Sequence, residues 1–294
     1  GDVVAIKDYA NTFDTNNVTL VQNGSDKIGG STDNAILSVE GLAVTLVFVD
    51  STQGWLVTDN GTQDTASTAQ YIVATGGTIT TIGDFKVHAF TGPGTFTVCS
   101  VGNPGGSNAV ETMIVAGGGG AGFDRAGGAG AGGMVLTPTC GVSVTATGFP
   151  ISVGAGGAGI ASPLGPGAHV GANGVNSTGF SLTAIGGGGT SRGGNSRPLG
   201  EVTGEPGGSG GGGTAGCGAI GPGGPAIQPT QPGNSGSFGK GFAGGNASPG
   251  SNTGGGGGAG ALGVNAVANT TSGPGGAGFD VSPRFGTAPQ PFYQ

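Results

Sequence analysis

Charge is what this sequence has least of. Asp, Glu, Lys and Arg make up 8% of the 294 residues, and Lys and Arg together number 8. So few cations, scattered along the chain, form no basic stripe, and the formal net charge is −7. Nucleic acid is therefore not an expected partner. Cysteine is scarce too. Cys99, Cys140 and Cys217 are far apart and odd in number, so they spell neither a CxxC nor a disulfide framework, and they read as small buried hydrophobes. The two histidines, His88 and His169, stand apart from each other and from any adjacent acid or Cys. His88 reads as a solvated or packed strand residue. No His/Cys/Asp cluster has metal-ligand spacing, and no stretch nears the ~18 apolar residues of a membrane span. No signal peptide is present. Residue 1 is Gly, which suggests a processed product or a fragment.

Glycine is present in excess, with 74 residues, about a quarter of the chain against roughly 7% in average proteins. Glycine loses the most backbone entropy on ordering, so such a chain would ordinarily be disordered. Disordered chains are also usually highly charged, and this one is not. Either the glycines are ordered in a regular lattice, or long loops hang from a β framework. Collagen is excluded, because no Gly-X-Y period is sustained and Pro numbers only 17.

Residues 1–58 read as a β module. Apolar or β-branched runs at Val3–Ile6, Val18–Val21, Ala35–Val39, Ala43–Val49 and Trp55–Val57 are separated by turn signals such as Asn23–Gly24–Ser25–Asp26. A module this small buries little core alone. With no cysteine before Cys99, self-association follows, a homotrimer being the expected form. Residues 59–83 are polar and Thr-rich and read as a linker with a short strand at Tyr71–Val73. Residues 84–294 form the glycine-rich domain. Strands are expected at Asp84–Phe90, Gly94–Val101 and Val110–Val115, with Gly92–Pro93–Gly94 as a hairpin turn. Beyond them, β-like segments (Gly133–Thr139, Gly141–Thr147, Pro150–Val153, Thr178–Ala184) alternate irregularly with glycine runs.

A run of four or five glycines packs backbone rather than side chains. Polyproline-II-type strands have three residues per turn and point their N–H and C=O groups outward, where burial demands partners. A bundle of such polyglycine-II strands would order several runs without a hydrophobic core, and Pro206, Pro222, Pro225 and Pro274 suit the same backbone region. The segments between runs, Phe123–Arg125, Ser191–Val202, Ala226–Phe238 and Ala266–Ser272, would then be surface loops. They are either binding loops or solvated connectors.

Two stretches carry a resemblance. Tyr9 through Thr58, "YANTFDTNNVTLVQNGSDKIGGSTDNAILSVEGLAVTLVFVDSTQGWLVT", resembles a module recurrent in tail-fibre and tail-associated proteins of marine and cyanobacterial phages. Thr75 through Gly133, containing "GGTITTIGDFKVHAFTGPGTFTVCSVG" and "ETMIVAGGGGAG", is similar to the entry of a glycine-rich domain found in such proteins. Together they cover roughly a third of the chain. Similar glycine-rich architecture occurs in tip adhesins of some T-even-like phages, where a sandwich of polyglycine-II helices presents receptor-binding loops. The resemblance implies a virion-tail, extracellular location, a homo-oligomer, and contacts with other tail or filament subunits and with a host surface glycan or outer-membrane protein.

Catalytic signatures are missing. The Gly-x-Ser-x-Gly around Ser209 lies inside a glycine run, with no strand before it and no helix after it. Gly-x-Gly-x-x-Gly matches arise by chance in such a chain. Glu201 and Glu205, in a Gly/Pro loop, could at most hold a cation weakly. No carboxylate pair for glycoside hydrolysis can be located. The Asn-x-Ser/Thr sequons at Asn17, Asn23, Asn60, Asn176, Asn246 and Asn269 are at the level of chance and matter only in a glycosylating host. The reading is an all-β, non-enzymatic structural protein with essentially no α-helix, no cofactor and no metal. Its expected receptor-binding residues are Phe123, Arg125, Phe238, Phe242 and Tyr293. The alternative is a self-assembling extracellular filament subunit, for which the N-terminal β segment would supply strand addition.

Overall fold

The structure, a computed structural model, describes residues 1–61, 69–103, 106–139, 141–160, 170–193, 202–216, 219–228 and 238–285. His169, Glu201, Cys140, Cys217 and Tyr293 lie outside the described residues. The fold is all-β, and the one helix among the described residues is the single turn Ser282–Phe285. Its strands pair as several small antiparallel sheets. The chain forms two compact units, residues 1–70 with 103–106, and residues 71–102 with 107–294.

The first unit contains β1 (Val3–Lys7), β2 (Val18–Leu20), β3 (Ala35–Leu37), β4 (Ala43–Asp50) and β5 (Gly54–Gly61). A three-stranded sheet runs β1-β4-β5, and β2 pairs β3. The strands fall where the apolar runs place them, except that β5 continues through Gly61 into the expected linker. Period-two alternation turns Val44 and Leu46 of β4 inward. They are the buried large hydrophobics of this unit, while Val3, Val4, Ile36 and Val57 remain exposed. One buried carboxylate organises the unit's loops: Asp8 accepts backbone N–H bonds from Thr12, Phe13 and Gly41, each at 3.0 Å. Burial pushes the Asp8 carboxyl up, but the N–H groups of Phe13, Thr12, Gly41 and Asn11 outweigh it and hold the pKa below the ordinary value.

The second unit opens with β6 (Val73–Thr75), β7 (Thr78–Ile82), β8 (Phe85–Ala89), β9 (Gly94–Ser100), β10 (Ala109–Val110) and β11 (Met113–Val115). The Thr-rich stretch therefore carries β6 and β7 as well as the end of β5, because its Thr/Ile alternation is β-branched and fits a pleated surface. β7 and β8 form the hairpin, around Gly83 at φ 56°. Gly92–Pro93–Gly94 is not a hairpin turn, since β9 pairs with β6 and with β14 (Gly148–Ile151) rather than with β8. Phe96 and Val98 of β9 face a core completed by Val144, Phe90, Phe149 and Phe180. Alternation in β9 puts Cys99 on the opposite face, where it is a free, exposed thiol rather than a buried hydrophobe. His88 is packed, with its ring edge-on to Phe96 and Nδ1 2.8 Å from the Gly76 carbonyl oxygen.

The remaining strands include β12 (Met134–Leu136), β13 (Val142–Ser143), β15 (Ser177–Gly179), β16 (Leu182–Ala184) and β19 (Gly239–Lys240), with β17 (Ala215–Gly216) and β18 (Ala219–Ile220) as a separate pair. Thr178–Ala184, expected as one β segment, is the β15–β16 hairpin, turning at Phe180–Ser181 with φ of 54° and 60°. A second core cluster of Ala116, Val135, Leu182 and Ala184 lies where these strands run into the glycine segments.

Apart from isolated bridges such as Thr190–Gly204 and Gly207–Ala226, the glycine runs belong to no sheet, yet their backbones bond to one another with a fixed spacing. Gly117 and Gly120 donate to Val175 and Ala172, Gly128 and Ala131 to Gly254 and Gly257, and Gly210 and Gly213 to Phe242 and Gly245. Each pair of donors is three residues apart, so one face of a run returns every third residue. Run 207–213 bonds to six neighbours, namely 186–190, 204–205, 128–131, 221–227, 242–245 and 254–257. Outer runs show the same period in burial: Gly171 is buried and Gly174 half-buried, while Ala172, Asn173, Val175 and Asn176 are exposed. A triplet period is thus present within each run, and every loop resets its phase, so no Gly-X-Y period is sustained along the chain. Side chains complete the network where a backbone partner is missing. Asn173 and Asn176 accept from the N–H groups of Gly189 and Gly186 at 2.7 and 2.9 Å.

Two tests follow from this packing. A Cβ on Gly119 would overlap the Gly188 carbonyl, whereas one on Gly118 meets only Gly130 oxygen at 3.7 Å and Gly132 nitrogen at 3.9 Å. Gly119→Ala should lower stability by about 3 kcal/mol or prevent folding. Gly118→Ala should be neutral or raise it by roughly 0.5 kcal/mol through lost unfolded-state entropy; thermal unfolding of the pair reads the difference. For Asp8, the depressed pKa means a contribution to stability fully present above the unfolded value of about 3.9 and lost as pH falls through the lower folded value. Asp8→Asn should therefore unfold the first unit more easily at neutral pH, and acid titration by circular dichroism should show the gap to the parent narrowing below about pH 4.

Candidate functional site

The runs shuttle between two ends of the lattice. At one end they enter β11, β12, β15, β16 and β19 and the small core around Val135. At the other they are joined by the turns after residues 122, 214, 247 and 266, and residues 191–193 lie beside them. Hydroxyls anchor this loop end to the lattice. Thr190 Oγ1 accepts from Gly122 N–H at 2.9 Å, and Thr214 Oγ1 accepts from Gly127 N–H and donates to the Ser191 carbonyl at 3.0 Å.

Four of the loops meet there. Arg125 Nη1 donates to Ser251 Oγ at 3.0 Å, and its Nε lies 3.8 Å from Asp124 Oδ1. The Arg192 guanidinium stands over the Phe123 ring at 5.8 Å, and Gly193 N–H donates to the Phe123 carbonyl. Arg192 Nε is buried without a hydrogen-bond partner. The 248–252 turn is tied to the 266–272 turn by Asn269 N–H to the Pro249 carbonyl at 3.0 Å and by Asn252 Nδ2 to the Val267 carbonyl at 3.2 Å. Asp124, Arg125, Ser251 and Asn269 all adopt left-handed φ, between 52° and 67°. Such conformations in non-glycine residues concentrate where a function requires the side chain. The ensemble offers two guanidinium groups, a flat ring and several hydroxyl and amide groups on a rigid base, which suits hydroxyl-rich or anionic surfaces.

Of the residues singled out in the sequence, Phe123 and Arg125 are brought together here, with Arg192, Ser251 and Asn269 beside them. Phe238 sits at the opposite end, packed against the Val135 cluster. Phe242 is 37% exposed, and its backbone N–H is bonded to Gly258 within the lattice. Arg192 lay inside an expected loop but had no local signal, because its role depends on Phe123, 69 positions earlier. Ser209 is buried, and its Oγ donates to the Gly258 carbonyl at 3.0 Å. Among the described residues no group of three or more His, Cys, Asp or Glu could hold a metal ion, and no helix is long and apolar enough to cross a membrane.

No family model, curated protein or solved structure matches this chain.

The left-handed Arg125 provides a direct test of whether its side chain is retained at a structural cost. Arg125→Gly removes the Cβ clash of that conformation, worth about 1 kcal/mol, against one exposed hydrogen bond. The melting temperature should rise by a few degrees; a fall would mean that the contact to Ser251 outweighs the strain.

Proposed function

We propose that this chain is a structural attachment protein, part of a phage tail fibre or tail tip, whose glycine-rich unit is a polyglycine-II lattice presenting binding loops at one end. The observation that carries the reading is the three-residue spacing of donors between runs, with up to six neighbours per run. That spacing is what three-residue-per-turn backbones produce when each satisfies the other's N–H and C=O groups. A lattice of this kind fixes loop ends rigidly, and rigid scaffolds with strained loops are where recognition residues sit. The ligand class that suits the loop end is a host surface glycan. Its hydroxyls would meet Ser251 and Asn269, and its acidic groups would meet Arg125 and Arg192, within a chain that is otherwise acidic.

The first unit supports a homotrimer. It buries only Val44 and Leu46 among its large described hydrophobics, and leaves Val3, Val21, Ile36 and Val49 exposed, so neighbouring copies would complete the core. The filament alternative draws on β1, an edge strand whose Val3 and Val4 are 62% and 42% exposed, open to strand addition.

The test uses fluorescently labelled full chain, applied to marine cyanobacterial cells and to their extracted lipopolysaccharide, beside electron microscopy of the purified protein. Saturable binding to cells or lipopolysaccharide that drops on the order of tenfold in Arg125→Gly and Arg192→Ala, two losses of about 1.4 kcal/mol each, is the expected result. Long regular filaments with no surface binding would make the filament subunit the better account.

A further inference from the structure

Three glycine runs are buried throughout: 186–190, 207–213 and 254–258. Every backbone N–H in the first two donates a hydrogen bond, and so do those of Gly254, Gly255, Gly257 and Gly258 in the third. Gly256 N–H donates none. The same run has five hydrogen-bonded neighbours, 127–133, 207–213, 241–247, 261–266 and 273–278, where run 207–213 has six. Among the described residues, the lacking sixth neighbour and the one N–H of these three runs without a partner belong to the same run. A backbone seated in the position left open among the described residues would give that N–H an acceptor.

A second observation says what fits there. Nearly every lattice glycine is required by close backbone approach, since a Cβ would overlap a neighbour's carbonyl. The outermost runs break this pattern. A Cβ on Gly156 meets only Gly118 oxygen at 3.7 Å, one on Gly275 only Gly256 oxygen at 3.7 Å, and one on Gly278 nothing. Gly159 is nearly as open, with Ala121 oxygen at 3.3 Å. Gly156 and Gly159 are three residues apart on the outer side of run 154–160, and the N–H groups of residues 155, 156, 158 and 159 donate to no neighbour. Glycine is entropically unfavourable and nothing within the described chain demands it at these positions. A further backbone packed against them would.

We propose that a second copy of this chain inserts its outer run 154–159 into the vacant lattice position beside Gly256, between runs 127–133 and 273–278. The inference rests on the three-residue lattice described above, and it names the contact through which copies associate. A carbonyl of the incoming run accepts the Gly256 N–H, and the side-chain-free faces at Gly156, Gly159 and Gly275 allow the approach. The donor edge and the acceptor groove are different surfaces, so the contact is heterologous. It closes into a ring where the rotation permits, as in a trimer, and otherwise extends.

The experiment is sedimentation velocity of the full chain over a range of concentrations, with amide exchange at Gly256 followed by NMR. The variants are Gly156→Val on the inserting edge and Gly275→Val at the groove, positions where a Cβ meets nothing of the described chain closer than 3.7 Å. The parent should associate, with Gly256 protected from exchange only in the associated form. Each variant should keep the parent's melting temperature and need on the order of tenfold higher concentration to associate, as losing about 1.4 kcal/mol implies. A parent that stays at single-chain mass overturns the proposal, and so does association that both variants leave unchanged. Failure of the lattice itself would show separately, as an undamaged Gly119→Ala.

Discussion

The glycine-rich unit depends on one constraint: a buried backbone must find a partner for every N–H and C=O, and it can do so from bare neighbours only if no Cβ stands between them. Run 207–213 comes nearest to meeting the constraint, with six surrounding runs and a donor bond from each of its N–H groups. The absence of side chains is therefore what allows order here, although glycine alone would favour disorder. Dense mutual hydrogen bonding takes the place that apolar burial holds in an ordinary domain, and the apolar clusters around Val135 and Phe96 are correspondingly small.

The polar side chains in this unit follow from the same constraint. Thr190, Thr214, Asn173 and Asn176 stand where a run lacks a backbone partner, and each supplies the missing donor or acceptor. Ser209 shows why motif matching fails in such a chain. Its hydroxyl is a fixed lattice contact, and the glycines around it are packing requirements rather than a nucleophile's turn. The loop end differs in kind, because Asp124, Arg125, Ser251 and Asn269 hold strained conformations that glycine would relieve. Most lattice glycines cannot be changed for steric reasons, whereas the loop residues depart from the sterically easy choice.

The first unit is governed by ordinary sheet alternation and a buried carboxylate. Its five strands were legible because apolar runs and Asn/Asp/Gly turns punctuate the sequence at strand length. The Asp8 network was not, since Gly41 is 33 positions away and nothing local marks the pairing. In the second unit the β7–β8 hairpin was obscured by Thr-rich composition, and Gly92–Pro93–Gly94 looked like a turn between paired strands when β9 takes other partners. Cys99 was misplaced because its burial depends on which face of β9 meets Phe180 and Phe149.

The sequence by itself determined the all-β class, the strand positions of residues 1–58, and the division into glycine runs and loops, because these follow from local propensity and composition. It also bounded the chemistry, through the scarcity of charge and of clustered ligands. Tertiary structure alone decided the triplet phase of each run, since phase is set by the neighbour that each N–H faces. It also decided the meeting of Phe123, Arg125, Arg192 and Ser251 at one end, and the unpartnered Gly256. These are relations between segments far apart in the chain, and in a lattice of nearly identical glycine backbones no single segment carries the information that selects its neighbours.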